Sequence, residues 1–182
     1  MSTSSVSLPF RWKLNTDVYL GLGGNLGDPL ETFRHALHQL AEHTKIIGVS
    51  KLYRSKPYGY PDQPDFYNAA ARISTDLTPL DLLARLQEIE QKLGKKVVRE
   101  NGPRIIDLDL LVYGDETLNL PELQLPHPGI LLRDFVLRPL HDLNPALSHP
   151  NWQGKSLDSA LAEIRQSFLF ESPMPFDFYL TE

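Results

Sequence analysis

Cysteine is absent from the 182 residues. Disulfides, iron–sulfur clusters and thiolate zinc sites are therefore excluded, and a reducing compartment, the cytoplasm, is the expectation. No apolar run approaches the roughly 20 residues that cross a bilayer, so no membrane partnership is expected. Positive charge is also short: 18 Lys and Arg stand against 23 Asp and Glu, a net charge of −5. A general electrostatic hold on nucleic acid is not expected, although a local basic loop can still bind a phosphorylated small molecule. Internal repeats, low-complexity stretches and dividing linkers are missing too.

What is present reads as an ordinary globular chain. Apolar residues make up 41%, and the 15 Pro are spread rather than clustered, which excludes disordered and fibrous classes. The length fits one domain, placed at residues 17–165 with tails at 1–16 and 166–182. Arg11, Lys13 and four Ser near the start surround no apolar core. A secretory signal is not expected there; a short organellar leader stays open.

Residues 17–22 (DVYLGL) read as a strand entering GGNLGD. Asp28, Pro29 and Glu31 then form an N-cap, a first-turn proline and an N3 acid, so a helix starts there with Phe33, Ala36, Leu37, Leu40 and Ala41 on one face. His35 and His38 fall off that face and read as solvent-facing. Ile46 to Tyr53 and Phe66 to Thr75 read as strands joined by a Pro/Gly-rich loop. Thr78 and Pro79 open a second helix and Gly94 closes it. Ile105 to Tyr113 reads as the fourth strand, and the residues after it are expected to add short helices and another strand. The order β-α-β-β-α-β is that of an α+β, ferredoxin-like antiparallel sheet with helices packed on it, followed by a C-terminal extension.

Asp107 and Asp109 lie two apart in that fourth strand. Their side chains share one face, about 6.5–7 Å apart, with Leu108 and Leu110 toward the core. Two such carboxylates repel unless cations neutralise them, and hard oxygen ligands at this spacing suit Mg²⁺. The other reading is a solvated edge with two ordinary acids. Glu90 projects into the stripe of Leu82, Leu86, Ile89 and Leu93, with Gln87 on its rim. A carboxylate there needs partners, or it snorkels past the sheet edge. Lys95, Lys96, Arg99 and Arg104 make a basic loop leading into the Asp strand, placed to reach a metal-held phosphate or simply solvated. Phe66 and Asn68 project together, an aromatic plate and an amide fork suited to a flat heterocycle, although Phe66 alone also reads as core. GLGGNLGD lacks the third glycine of a dinucleotide fingerprint and the Gly-Lys-Ser/Thr of a P-loop, so it reads as a tight strand-to-helix turn.

Taken together, the stretches YLGLGGNLGD (19–28), LYRSKPYGYPDQPDFYNAA (52–70), LQEIEQKLG (86–94), GPRIIDLDLLVYG (102–114), LPHP (125–128) and RDFVLRPL (133–140) resemble the hydroxymethyl-dihydropterin pyrophosphokinases of folate biosynthesis. The resemblance implies an ATP-dependent diphosphotransferase. The pterin hydroxymethyl oxygen attacks the β-phosphorus of ATP, pyrophosphate moves to 6-hydroxymethyl-7,8-dihydropterin, and AMP leaves. It also implies that Asp107 and Asp109 bind two Mg²⁺ ions and that Arg104 lies near the transferring group. The pterin then stacks between Phe66 and Phe135, with Asn68 reading its polar edge and Ser55, Pro57 and Tyr58 lining the pocket. Gln87, Glu90, His127 and Arg133 match nucleotide-contacting positions, and Lys95 and Arg99 belong to the mobile ATP loop. A monomer with no room for a second catalytic domain is expected. The chain departs from the family's usual residues at Lys95 and Val97 (commonly Arg), at Asn101 (often Trp), and at Gly129 and Leu132. Lys for Arg loses the bidentate fork. Another two-metal enzyme, such as a nucleotidyl cyclase or phosphodiesterase, would need the Asp pair but not Phe66 and Asn68. A non-catalytic pterin-binding module would need neither acid.

Overall fold

The computed structural model describes residues 15–96, 99–170 and 172–178. Val97 and the segment 1–14 lie outside them. The elements are β1 (Thr16–Gly24), α1 (Pro29–Ala41), β2 (Lys45–Val49), β3 (Tyr53–Ser55), β4 (Phe66–Thr75), α2 (Pro79–Lys92), β5 (Asp107–Tyr113), β6 (Leu118–Asn119), β7 (Gln124–Leu125), α3 (Asp134–Leu143) and α4 (Leu157–Glu163).

Both long helices begin at the caps read from the sequence. Asp28 accepts from the Glu31 N–H and Thr78 from the Asp81 N–H, each followed directly by a proline. Gly94, at φ +87, takes the left-handed conformation that ends α2.

The sheet runs β2-β4-β1-β5, with β3 also on β4, and every pairing is antiparallel. With β2 and β3 counted as one interrupted strand, this is the expected α+β ferredoxin-like arrangement. One face of the sheet carries Val18, Leu20, Leu22, Ala71, Ile73, Leu108 and Leu110 against Phe33, Leu37, Leu40, Leu82, Leu86 and Ile89 of α1 and α2. The other face carries Tyr19, Ala70, Leu111 and Val112, covered by Leu137 and Leu140 of α3, Leu157 and Ala160 of α4, and Trp152. The C-terminal extension is thus the second lid of the sheet, and it covers only part of that face.

Two irregularities correct the sequence reading. Ile46 to Tyr53 is not one strand. Val49 faces Ala71 and Tyr53 faces Asn68, so three residues oppose two, and the Ser50 hydroxyl accepts the Ala70 N–H at 2.8 Å in place of a strand carbonyl. β5 starts at Asp107 rather than Ile105, because the Arg104 carbonyl is taken by the Asn25 and Leu26 N–H groups. A third correction concerns His38, which is half-buried with its ring centroid 6.0 Å from that of Phe178.

The glycine run is also placed differently from the reading. Gly21 lies in the strand as expected, but Gly23 and Gly24 belong to β1 as well, and only Gly27, at φ +66, serves the turn into α1. A Cβ on Gly24 would stand 2.6 Å from the Ile105 carbonyl oxygen. Gly24→Ala is therefore expected to destabilise the fold by about 1–3 kcal/mol through a backbone shift. Urea unfolding measures this, and an unchanged midpoint would contradict the close approach.

Residues 166–170 and 172–178 run back along the molecule. Leu52 and Met174 exchange backbone hydrogen bonds, Leu169 bridges Ser55, and Phe176 meets Phe33 edge-on at 6.4 Å.

Candidate functional site

Where α3 and α4 leave the second face uncovered, alternation brings Gly21 and Gly23 of β1 level with their neighbours on both sides. Gly21 lies between Asp109 and Ala70, and Gly23 between Asp107 and Asn68. Strand positions without side chains make a floor, and the cleft above it encloses about 820 Å³ including its open mouth. Its walls include Ser55, Tyr58, Phe66, Asn68, Arg104, Asp107, Asp109, His127, Arg133 and Phe135.

Each carboxylate oxygen of Asp107 has one cationic partner. Lys95 Nζ lies 2.5 Å from one carboxylate oxygen and Arg104 Nη1 2.6 Å from the other. The Asp109 carboxylate makes no hydrogen bond or ion pair among the described residues. It keeps an open face to the cleft, yet its seat on the floor and the negative charge of Asp107 push its carboxyl up to about 7. Among the described residues no three His, Asp or Glu converge as a ready-made metal site. Two carboxylates directed into a cleft that can hold phosphates are nevertheless the donor set Mg²⁺ takes, with substrate oxygens and water completing its shell. The residues fit a divalent ion.

Glu90 does not snorkel. It is buried, and its Oε1 accepts from Lys95 Nζ at 2.9 Å and from the Leu108 N–H at 2.7 Å. The second bond satisfies an outward amide of the edge strand β5. Burial raises the Glu90 carboxyl pKa against the opposing pull of Lys95. Desolvation lowers that of Lys95, but its two carboxylate partners outweigh it and the net shift is upward.

His127 sits on the far side of β5, where its N–H donates to the Leu111 carbonyl. Its Nδ1 accepts from the Gly129 N–H at 3.0 Å, so the proton of the neutral ring is assigned to Nε2. Burial and the nearby Arg133 lower its pKa and keep it neutral. Gly129 has a reason to be glycine: a Cβ there would come within 3.2 Å of both the Arg133 guanidinium and the His127 ring. Arg133 in turn lies 4.9 Å from the centroid of Tyr58.

On the opposite wall the Asn68 amide donates to Ser55 Oγ at 2.8 Å, and its Oδ1 accepts no hydrogen bond from the described residues. The Arg104 guanidinium stands over Phe66, 5.5 Å from the ring centroid.

Some expected residues stand apart. Gln87 is exposed on α2, and Pro57 does not line the cleft. Arg99 stacks on Tyr60 at 4.3 Å in a separate hollow that it shares with Lys95 and Asp107. Others escaped the sequence reading altogether. Asn25 donates to Gln63 Oε1 and the Pro64 carbonyl while accepting the Arg104 N–H, and Gln63 donates to the Asn101 carbonyl. This network ties both loops to the end of β1. Two glycines spaced one residue apart in a strand were the visible signal for the floor.

Residues 19–145 match the family model described as 7,8-dihydro-6-hydroxymethylpterin-pyrophosphokinase (HPPK). The chain belongs to the HPPK family. It is 44% identical over 147 residues to the 2-amino-4-hydroxy-6-hydroxymethyldihydropteridine pyrophosphokinase of Pseudomonas aeruginosa, covering 80% of this chain and 90% of that protein. Identity is again 44%, over 137 residues, to the folic acid synthesis protein fol1 of Pneumocystis carinii, covering 75% of this chain. The chain spans only 18% of the length of that relative and 21% of the Dictyostelium discoideum protein FOL1. Among solved structures, a Plasmodium falciparum HPPK-DHPS superposes with a TM-score of 0.67 over 82% of this chain and 43% of that chain, at 18% identity, a likeness of fold. Among the described residues no helix of the chain is long and apolar enough to cross a membrane.

Proposed function

We propose that this chain transfers pyrophosphate from MgATP to 6-hydroxymethyl-7,8-dihydropterin, releasing AMP, as a monomeric cytoplasmic enzyme of folate synthesis that binds no nucleic acid. The observation that carries the reading is one juxtaposition: the acid pair Asp107 and Asp109 opens onto the same cleft as Phe66, Asn68 and Phe135. A heterocycle and a phosphate chain can therefore meet over the glycine floor.

In this reading Phe66 and Phe135 clasp the pterin. Asn68, its amide already spent on Ser55, offers Oδ1 to the donor edge of the ring. Asp107 and Asp109 would hold two Mg²⁺ ions, whose chemistry is to neutralise and polarise phosphate oxygens. His127 presents Nε2–H, and Arg133 and Arg104 present guanidinium forks, all as donors to a triphosphate. Lys95 adds a point charge, and Arg99 reaches the nucleotide only if its loop leaves Tyr60. Glu90 orients Lys95 and Tyr58 lines the cleft, whereas Gln87 and Pro57 stand outside it and take no part. The hydroxymethyl oxygen forms the new bond to the β-phosphorus as the bond from that phosphorus to the α-phosphate oxygen breaks, and the hydroxyl proton leaves to solvent. No side chain needs to be a strong base; alignment of the two substrates supplies much of the acceleration.

Phe66→Ala tests the reading against other two-metal chemistries. Its KM for the pterin is expected to rise about tenfold or more, with little change for ATP, because a stacking face is lost. An unchanged pterin KM would remove the pterin from this cleft.

A further inference from the structure

We propose that Phe168, supplied by the C-terminal segment, is a positioning residue that holds the cleft aromatics Tyr58 and Phe135 in place for the pterin. The inference rests on the pyrophosphokinase reading and extends it to a residue beyond the 19–145 family match.

Three rings form a closed triangle. Phe168 lies 5.5 Å from Tyr58 and 6.0 Å from Phe135, and Tyr58 and Phe135 are themselves 6.2 Å apart. The contact with Phe135 is edge-on, at 84°, the geometry in which one ring's positive rim meets another's negative face. Tyr58 and Phe135 line the cleft. Phe168 does not; it stands behind them and belongs to the neighbouring groove with Trp152 and Leu131.

Its own position is strongly determined. The Phe168 carbonyl accepts the Lys56 N–H at 2.8 Å, and the Phe170 N–H donates to the Arg54 carbonyl at 3.0 Å, so the segment is laced to β3 and the loop after it. Asp134 pins it from the other side. Its Oδ2 accepts from Ser167 Oγ at 2.7 Å, from the Phe168 N–H at 2.9 Å and more weakly from the Leu169 N–H at 3.4 Å. Asp134 is buried and directly precedes Phe135 in the chain. The anchor of the brace and the braced ring are therefore neighbours on the first turn of α3. Tyr58, by contrast, is 43% exposed and is followed by Gly59 at φ +82, so little in its own loop restrains it. Without Phe168 both rings gain rotamer freedom that the pterin must then remove on binding.

The test is steady-state kinetics of the full chain with each substrate varied in turn. Phe168→Ala is expected to raise the pterin KM roughly tenfold, the scale of a lost edge-on aromatic pair, with kcat and the ATP KM within about twofold of wild type. Phe168→Tyr keeps the ring and is expected to keep the wild-type KM. Asp134→Asn retains the ring but weakens its anchor, and is expected to move the same constant by about threefold. An unshifted pterin KM in Phe168→Ala, or parallel rises for both substrates with a fallen kcat, overturns the proposal in favour of a merely structural contact. Wild-type protein that releases no AMP with the pterin instead sinks the pyrophosphokinase reading, and the inference with it.

Discussion

Asp109→Asn is expected to lower turnover by on the order of 10³-fold or more while leaving the fold intact. The loss follows if the carboxylate is a metal ligand facing the transferring phosphates. The retained fold follows because the Asp109 carboxylate has no hydrogen-bond or ion-pair partner among the described residues. Its carboxyl is pushed up to about 7 from an ordinary value of 3.8 by its seat on the cleft floor and by Asp107. An acid whose pKa is higher folded than unfolded opposes folding once ionised. That cost is absent below the ordinary value, grows as pH rises, and is complete above about 7. Metal-free Asp109→Asn should therefore melt with wild type at acidic pH and above it at pH of about 8, read by circular dichroism. Full activity would remove Asp109 from the metal site, and a lower melting temperature at alkaline pH would contradict the electrostatics. Asp107 is the less clean probe, since its loss removes an ion-pair partner from both Lys95 and Arg104.

Arg104→Ala is expected to lower kcat by about 10²–10³-fold, with a smaller effect on either KM, because a fixed guanidinium acts mainly on charge that develops during transfer. Its fixity is visible. The Arg104 N–H donates to Asn25 Oδ1 at 2.9 Å, Nε–H to the Gly102 carbonyl at 3.1 Å and Nη1 to Asp107 at 2.6 Å. Arg104→Lys should recover only part of the rate, since a point charge cannot span two oxygens as the fork does. Stability should change by about 1 kcal/mol or less, because Lys95 still neutralises Asp107 and the lost pair is partly exposed. Stopped-flow single turnovers separate the chemical step from binding, and wild-type rates in Arg104→Ala would place the guanidinium elsewhere.

Local signals carried the parts of the fold that depend on neighbours in sequence. Asp28 with Pro29, Thr78 with Pro79, and Gly94 mark helix ends through contacts within one turn, and the structure has them there. The Asp107–Asp109 face was legible because strand alternation needs no partner strand. Glu90 was legible as an anomaly in an apolar stripe, but not its bond to the Leu108 N–H, which crosses 18 residues. What escaped depends on register and on distant partners. The Ser50 bulge exists only because Ala70 faces it, and Gly21 and Gly23 become a floor only once β4 and β5 flank them. Asn25 meets Gln63 and Arg104 across 38 and 79 residues. Phe168 and Asp134 carry no local pattern at all; their role appears when the C-terminal segment returns along β3.

The central claim is pyrophosphoryl transfer to a pterin, and a coupled AMP-release assay tests it most directly. The protein is mixed with MgATP, with and without reduced hydroxymethyl pterin, and the pterin product is followed by mass. The account predicts AMP only when the pterin is present, together with a product heavier by one pyrophosphoryl group. AMP or ADP released without the pterin, or a pterin of unchanged mass after prolonged incubation, would contradict it.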